Sequence, residues 1–289
     1  MTTIRDGDPM LADLSTYSLR DFLLFDAAIY RDLFGQVNAG HWPLAAIGIA
    51  LAVALLAVRR RASFAGLGLF VLLAAAFASA AVVFFFGPYE TINWASVYPG
   101  WAFVAEAVLF VQAAVALAAF GRRAPMQAQL RPDGGWPAIA VVLYALFGHP
   151  LAGLAFGRGP EALEWFALAP SPTALAALGL LALWPSRWRF LLAVIPVAWL
   201  LLDAATLGGL DMTGESWLLL VSTILSAGIL VMPKRKAGAA ATGPGANTAP
   251  QPAAKPASDR TTDRRGRQGR RGSGRRPTAA GLLPTDRVQ

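Results

Sequence analysis

The chain has 289 residues, 56% of them hydrophobic and 15% charged, whereas a soluble globular chain is nearer half apolar and a quarter charged. With no cysteine and only His41 and His149, disulfides, thiolate metal sites and a cysteine nucleophile are excluded and a multi-histidine metal centre is not expected. The net charge of +8 belongs to the end of the chain. From Lys234 onward 13 Lys or Arg stand against 3 Asp, while residues 1–233 carry 12 basic and 14 acidic side chains.

Residues 1–40 lack a basic start followed by an uninterrupted apolar core, so they do not read as a signal peptide. The stretch "SLRDFLLFDAAIYRDLFG" predicts an amphipathic helix, with Ser18 and Asp21 at capping-box spacing and Gly35 as its stop. Phe22, Phe25, Ile29 and Leu33 share a face. The helix either lies in the outer membrane–water interface or packs over the bundle.

Residues 41–233 hold seven apolar stretches, approximately 41–58, 62–86, 97–120, 136–155, 167–184, 189–209 and 216–233, each near the length needed to cross a bilayer. The fifth, "LAPSPTALAALGLLALW", is the weakest, opening on prolines that only a first helical turn tolerates. Arginines and lysines follow alternate stretches: Arg59–Arg61, then Arg122, Arg123 and Arg131, then Arg187 and Arg189, then Lys234–Lys236. The intervening loops hold Glu90, then Arg158, Glu161 and Glu164, then Asp211 and Glu215, with Glu161 and Glu164 read as solvated loop charge. Positive residues collect on the cytoplasmic side, so the pattern predicts a seven-span all-α bundle with its N-terminus outside and its C-terminus inside. Trp42, Trp101, Trp136, Trp184, Trp188 and Trp217 fall at predicted span ends, as an interfacial belt requires. Trp199 is the exception, inside a span.

The tail, 234–289, has the Ala/Gly/Pro/Ser and arginine composition of a disordered segment. Its cluster Arg264, Arg265, Arg267, Arg270, Arg271, Arg275 and Arg276 suits anionic lipid or a cytoplasmic partner. A solvated tail whose charge only reinforces orientation is the simpler reading, since no aromatic residue interleaves the arginines.

Ionisable residues inside spans are rare, and so they mark candidate sites. Glu106 lies in the third span, His149 in the fourth and Asp203 in the sixth, all between the midplane and the outer surface by residue count. Trp199 and Thr206 share the Asp203 stripe. The loop residues Glu90, Asn93 and Trp94 form a candidate outer cap for the site around Glu106. Ser222 and Ser226 read as interhelical hydrogen-bonding groups. A buried acid that only specifies packing is the competing reading for Glu106 and Asp203, and for His149 it is a histidine beside Pro150 that simply reaches interfacial water. There is no H-E-x-x-H helix, no nucleotide-binding glycine loop and no nucleophile elbow. No catalytic residue, metal or cofactor is expected.

The segments "YETINWASVYPGWAF" (89–103), "GHPLAG" (148–153), "FALAPSPTALAALGLL" (166–181) and "VIPVAWLLLDAATL" (194–207) together resemble an uncharacterised family of bacterial multi-pass membrane proteins. It is a domain of unknown function whose members are sometimes loosely labelled permeases, and the resemblance covers about 15–233. It implies a protein of the bacterial cytoplasmic membrane and assigns no catalytic residue. Two functions are therefore expected. One is a small permease-like transporter with a polar pocket in the outer half of the bundle, and the other is a membrane scaffold that docks through its basic tail.

Overall fold

The computed structural model describes residues 24–62, 64–120 and 135–232. The predicted Ser18–Asp21 cap and the arginine cluster 264–276 lie outside them. Every described element is helical, with no strand among the described residues. Six helical runs are long and apolar enough to cross a membrane: Ala27–Val58, Ala65–Ile92, Trp94–Ala119, Trp136–Ala155, Arg189–Gly209 and Thr213–Val231. Their outward faces carry Ile47, Val71, Val111, Leu202 and Ile224, each about half exposed. Apolar surface on that scale suits lipid contact rather than water.

The first run, α1 (Ala27–Val58), corrects the predicted stop at Gly35. Asp26 caps its start by accepting from the Ile29 amide at 2.9 Å, and the helix then runs through Gly35, Gly40 and Pro43. Its buried face, Tyr30, Leu33, Phe34 and Val37, continues as Ala45, Gly48, Ala52 and Leu56. Burial along that unbroken stripe outweighs the roughly 1 kcal/mol that a mid-helix glycine costs. Ile29 does not join the face and is exposed. At 1.5 Å per residue, the 32 residues of α1 make about 48 Å, well beyond a hydrocarbon core of about 30 Å. From Ala27 onward, the amphipathic segment and the first span are thus one element.

Helix α2 (Ala65–Ala80) passes into a π turn, Ala81–Phe85, before the short α3 (Pro88–Ile92). The Phe86 amide bonds Ala81 O at 2.9 Å, and the Phe85 carbonyl accepts from Ser96 Oγ at 3.0 Å. Helix α4 (Val97–Phe120) packs back along α2 through Phe77 against Phe103 and Phe110, with centroids 4.8 and 5.4 Å apart. Helix α5 (Trp136–Leu143) runs into a second π turn, Tyr144–Gly148, and then α6 (His149–Ala155). Pro150 has no amide to donate, and the wider turn just before it carries the chain past that gap.

The predicted fifth span, 167–184, is instead a short helix, α7 (Pro170–Leu183), with all 14 of its residues buried. At about 21 Å it is too short to cross a bilayer alone. It occupies the centre of the bundle, in contact with α2, α5, α9 (Val194–Gly209) and α10 (Thr213–Val231). Gly179 makes this possible, since a Cβ there would lie 2.7 Å from Val142 Cγ2 and 2.9 Å from the Ala138 carbonyl. Just beyond its C-terminus, Trp184 packs on Phe70 near the start of α2, centroids 4.9 Å apart. The end of the bundle bearing Arg59–Arg61 therefore also bears the turn with Arg187. The sixth predicted span is broken at Ala193 into α8 (Arg189–Leu192) and α9, one turn before Pro196.

Candidate functional site

The site forms where the chain enters α7. From Ala162 to Ala169 the lead-in is buried except for Trp165. Ala167 sits at φ 70°, a strained left-handed conformation for a residue with a Cβ. Its amide donates to Thr173 Oγ1 at 3.0 Å, and that hydroxyl donates to Ala169 O at 2.8 Å, which holds the bend in place. Pro170 and Pro172 remove two of the amides that a buried helix start would leave unsatisfied. Between them Ser171 points its hydroxyl across to α9.

There Ser171 Oγ donates to Asp203 Oδ2 and accepts from Trp199 Nε1 at 3.0 Å. Tyr30 of α1 donates to Asp203 Oδ1 at 2.8 Å. Asp203, 2% exposed, is thereby bonded at both oxygens beside the N-terminus of α7, where a helix dipole favours negative charge. The Tyr30 ring packs on Phe34 and Tyr89 at 5.3 and 6.2 Å, and Trp199 meets Phe85 edge-on at 4.8 Å. The polar core is sealed by aromatic rings.

A second group adjoins it. Arg158 Nε donates to Glu215 Oε2 at 2.6 Å, and its Nη2 pairs with the same oxygen at 2.5 Å. Arg158 Nη1 lies 2.7 Å from Glu164 Oε1. His149 Nε2 meets Glu164 Oε2 at 3.1 Å, and Arg31 Nη2 reaches Glu215 Oε1 at 3.2 Å. The guanidinium of Arg158 also stands over the Phe34 ring, 5.3 Å from its centroid. Burial pushes the Glu164 carboxyl up, but Arg158 and His149 outweigh it and hold the group at about 2. The two groups form one electrostatic unit, because Glu164 and Arg158 both act on Asp203. A narrow cleft of about 20 Å³, lined by His149, Gly153, Phe156, Arg158, Glu164 and Glu215 among others, reaches the second group. It has room for about one water. Two larger grooves, of about 260 and 350 Å³, touch none of these residues.

The sequence-predicted residues divide accordingly. Asp203 and Trp199 come together, and His149 joins their network through Glu164. Thr206 donates to Leu202 O of its own helix at 3.0 Å. Glu106 is fully buried, yet neither of its carboxylate oxygens has a partner. Of the candidate cap, Glu90 and Trp94 are exposed, while Asn93 donates to Tyr89 Oη at 3.2 Å. It thus touches the aromatic wall of Tyr30 rather than Glu106. Ser222 and Ser226, expected to bridge helices, donate to Leu218 O and Ser222 O, one turn back on their own helix.

Glu164, read in the sequence with Glu161 as solvated loop charge, is instead buried with the loop residues Arg158 and Glu215, at 5%, 5% and 9% exposure. A buried carboxylate is stable only when paired and hydrogen-bonded, and the guanidinium fork supplies both partners. The available signal was the apolar setting of Glu164 in "ALEWFALAP". For Tyr30 and Ser171 there was no comparable signal, since neither residue is unusual in an apolar helix.

Six apolar helices long enough to cross a membrane, set around a buried, paired charge cluster, suit a membrane-embedded protein. The chain belongs to a family of unknown function, DUF6064, whose model matches residues 27–241. That span takes in the whole described bundle. No curated protein and no solved structure matches the chain.

Proposed function

We propose that the protein is a small, permease-like, proton-coupled carrier. Its substrate or coupling ion meets the bundle at the Arg158–Glu164–Glu215 and Asp203–Ser171–Tyr30 network. The observation that carries this reading is a charge imbalance. Three buried carboxylates, Glu164, Asp203 and Glu215, lie in a network whose cationic groups are the guanidiniums of Arg158 and Arg31, with the His149 imidazole on Glu164. With that imidazole neutral one negative charge is left over, and a buried excess charge calls for a proton or a cation. The π turn before Pro150, the helix start at Pro170 and the break at Ala193, one turn before Pro196, support the same reading, because carriers build midplane sites from interrupted helices whose ends face the ligand.

In this reading the central helix α7 and its buried lead-in together make a seventh crossing. The basic end, with Arg59–Arg61 and Arg187, faces the cytoplasm of a bacterial cell, and the network lies in the outer half of the bundle. The basic tail, 13 Lys or Arg against 3 Asp, lends weight to a scaffold that docks on anionic lipid or a cytoplasmic partner.

The test is uptake into proteoliposomes. With an inward proton gradient and a panel of small solutes, the full chain should accumulate at least one. Glu164→Gln and Asp203→Asn should abolish that uptake without loss of the folded bundle, and deletion of 237–289 should leave it intact. Uptake that survives both substitutions, or a panel with no solute moved, would turn the assignment towards the scaffold.

A further inference from the structure

Glu106 is the one candidate acid that the network does not absorb. It lies ten residues into the run that starts at Val97, at 0% exposure, and both of its oxygens are buried without a hydrogen-bond partner. Its neighbours one turn away on the buried face of α4 are Phe103 and Phe110, themselves fully buried. Across that face stand Phe70 and Phe77 of α2, Phe85 of the first π turn and Trp199 of α9. No charged side chain acts on Glu106. Among the described residues of the elements packed against α4, the charged groups are Asp203 on α9 and Arg189 on α8.

A carboxylate sealed among phenylalanines with nothing to donate to it is a far costlier species than its neutral acid. If α4 needed only a filler here, leucine would serve better. Helical side chains lean towards the N-terminus of their helix, so the carboxyl leans towards the level of Phe103. The Phe103 ring is 5.8 Å from Trp199, whose indole is bonded to Ser171 and through it to Asp203. Glu106 therefore stands one aromatic layer from the network.

We propose that Glu106 is a second, inner proton-carrying site that exchanges its proton with the Asp203 network across the Phe103–Trp199 layer. This rests on the proton-coupled reading above. The exchange moves one proton from one carboxyl to the other and leaves the donor ionised. It therefore needs the layer to part far enough for water to reach both groups, and Trp199 is the hinge of that layer. Bonded to Ser171, the indole keeps the two carboxyls apart.

The experiment treats membranes containing the full chain with a hydrophobic carbodiimide, which prefers protonated carboxyls in apolar surroundings, and maps the adducts by mass spectrometry. Isotope-edited infrared spectroscopy of the same samples reads the carboxyl carbonyl directly, whether or not the reagent gains access. The expected result is an adduct at Glu106 and a protonated-carboxyl band, both lost in Glu106→Gln. Trp199→Phe, which frees the indole's place in the layer, should speed labelling. An infrared spectrum with no protonated-carboxyl band sensitive to Glu106→Gln would overturn the proposal. So would a labelling rate unmoved by Trp199→Phe. Neither readout uses a solute, so failure here is distinct from failure of the uptake experiment.

Discussion

At the scale of single residues, Arg158 decides how the buried acids behave. Its fork serves Glu164 and Glu215 together, and lysine would offer a point charge without that geometry. Glu164 is held at about 2 against an ordinary 4.5, so in the folded state it gives up its proton more readily than in the unfolded chain. The stability it contributes is fully present above pH 4.5 and is lost as the pH falls from there towards 2. The expected outcome is a thermal midpoint in detergent that drops through this window in the wild type. Glu164→Gln should start lower and lose markedly less across it, which isolates this carboxylate from the rest. Sequence alone exposed Asp203, Glu106 and His149, because a polar residue in an apolar run stands out. It hid Tyr30 and Ser171, whose importance arises only from what the fold sets opposite them. It misplaced Glu164 and Arg158, because a charged residue between two apolar runs ordinarily faces water.

At the scale of elements, the long apolar runs were legible because roughly 20 apolar residues in a row have few alternatives. Near three prolines the helices are irregular, with a π turn before Pro150, a helix start at Pro170 and a break one turn before Pro196, whereas Pro43 lies inside the unbroken α1. The π turns were not legible, since one extra residue in a turn leaves no pattern in composition. Nor was the passage of α1 through Gly35, where long-range burial overrides a local stop signal. Helices α5 and α7 approach closely at Gly179. A Cβ there meets the Val142 side chain at 2.7 Å and, behind it, the Ala138 carbonyl and Val142 amide at 2.9 and 3.0 Å, so Gly179→Ala must force the helices apart. Overpacking of this kind costs about 1–3 kcal/mol. A midpoint unchanged from the wild type would mean that the two helices have slack. The lead-in to α7 should loosen as well, which lowers protection of its amides in hydrogen exchange.

At the scale of the whole molecule, the arrangement sets one charged cluster inside an apolar bundle and closes it with aromatic rings. Such a cluster gives poor value for stability, since well-packed apolar residues generally serve as well. Its presence makes sense where protonation has to be coupled to a change of shape. The bundle has the parts for such a change: a short central helix held by a strained lead-in, two π turns, and a sixth run broken at Ala193. The most direct measurement is a pH jump applied to the full chain in proteoliposomes on a solid-supported membrane, reading the charge displaced before any solute is added. The account predicts a transient in the wild type that disappears in Asp203→Asn while the bundle stays folded. Equal transients in the two proteins, or none in the wild type, would contradict a proton-binding network.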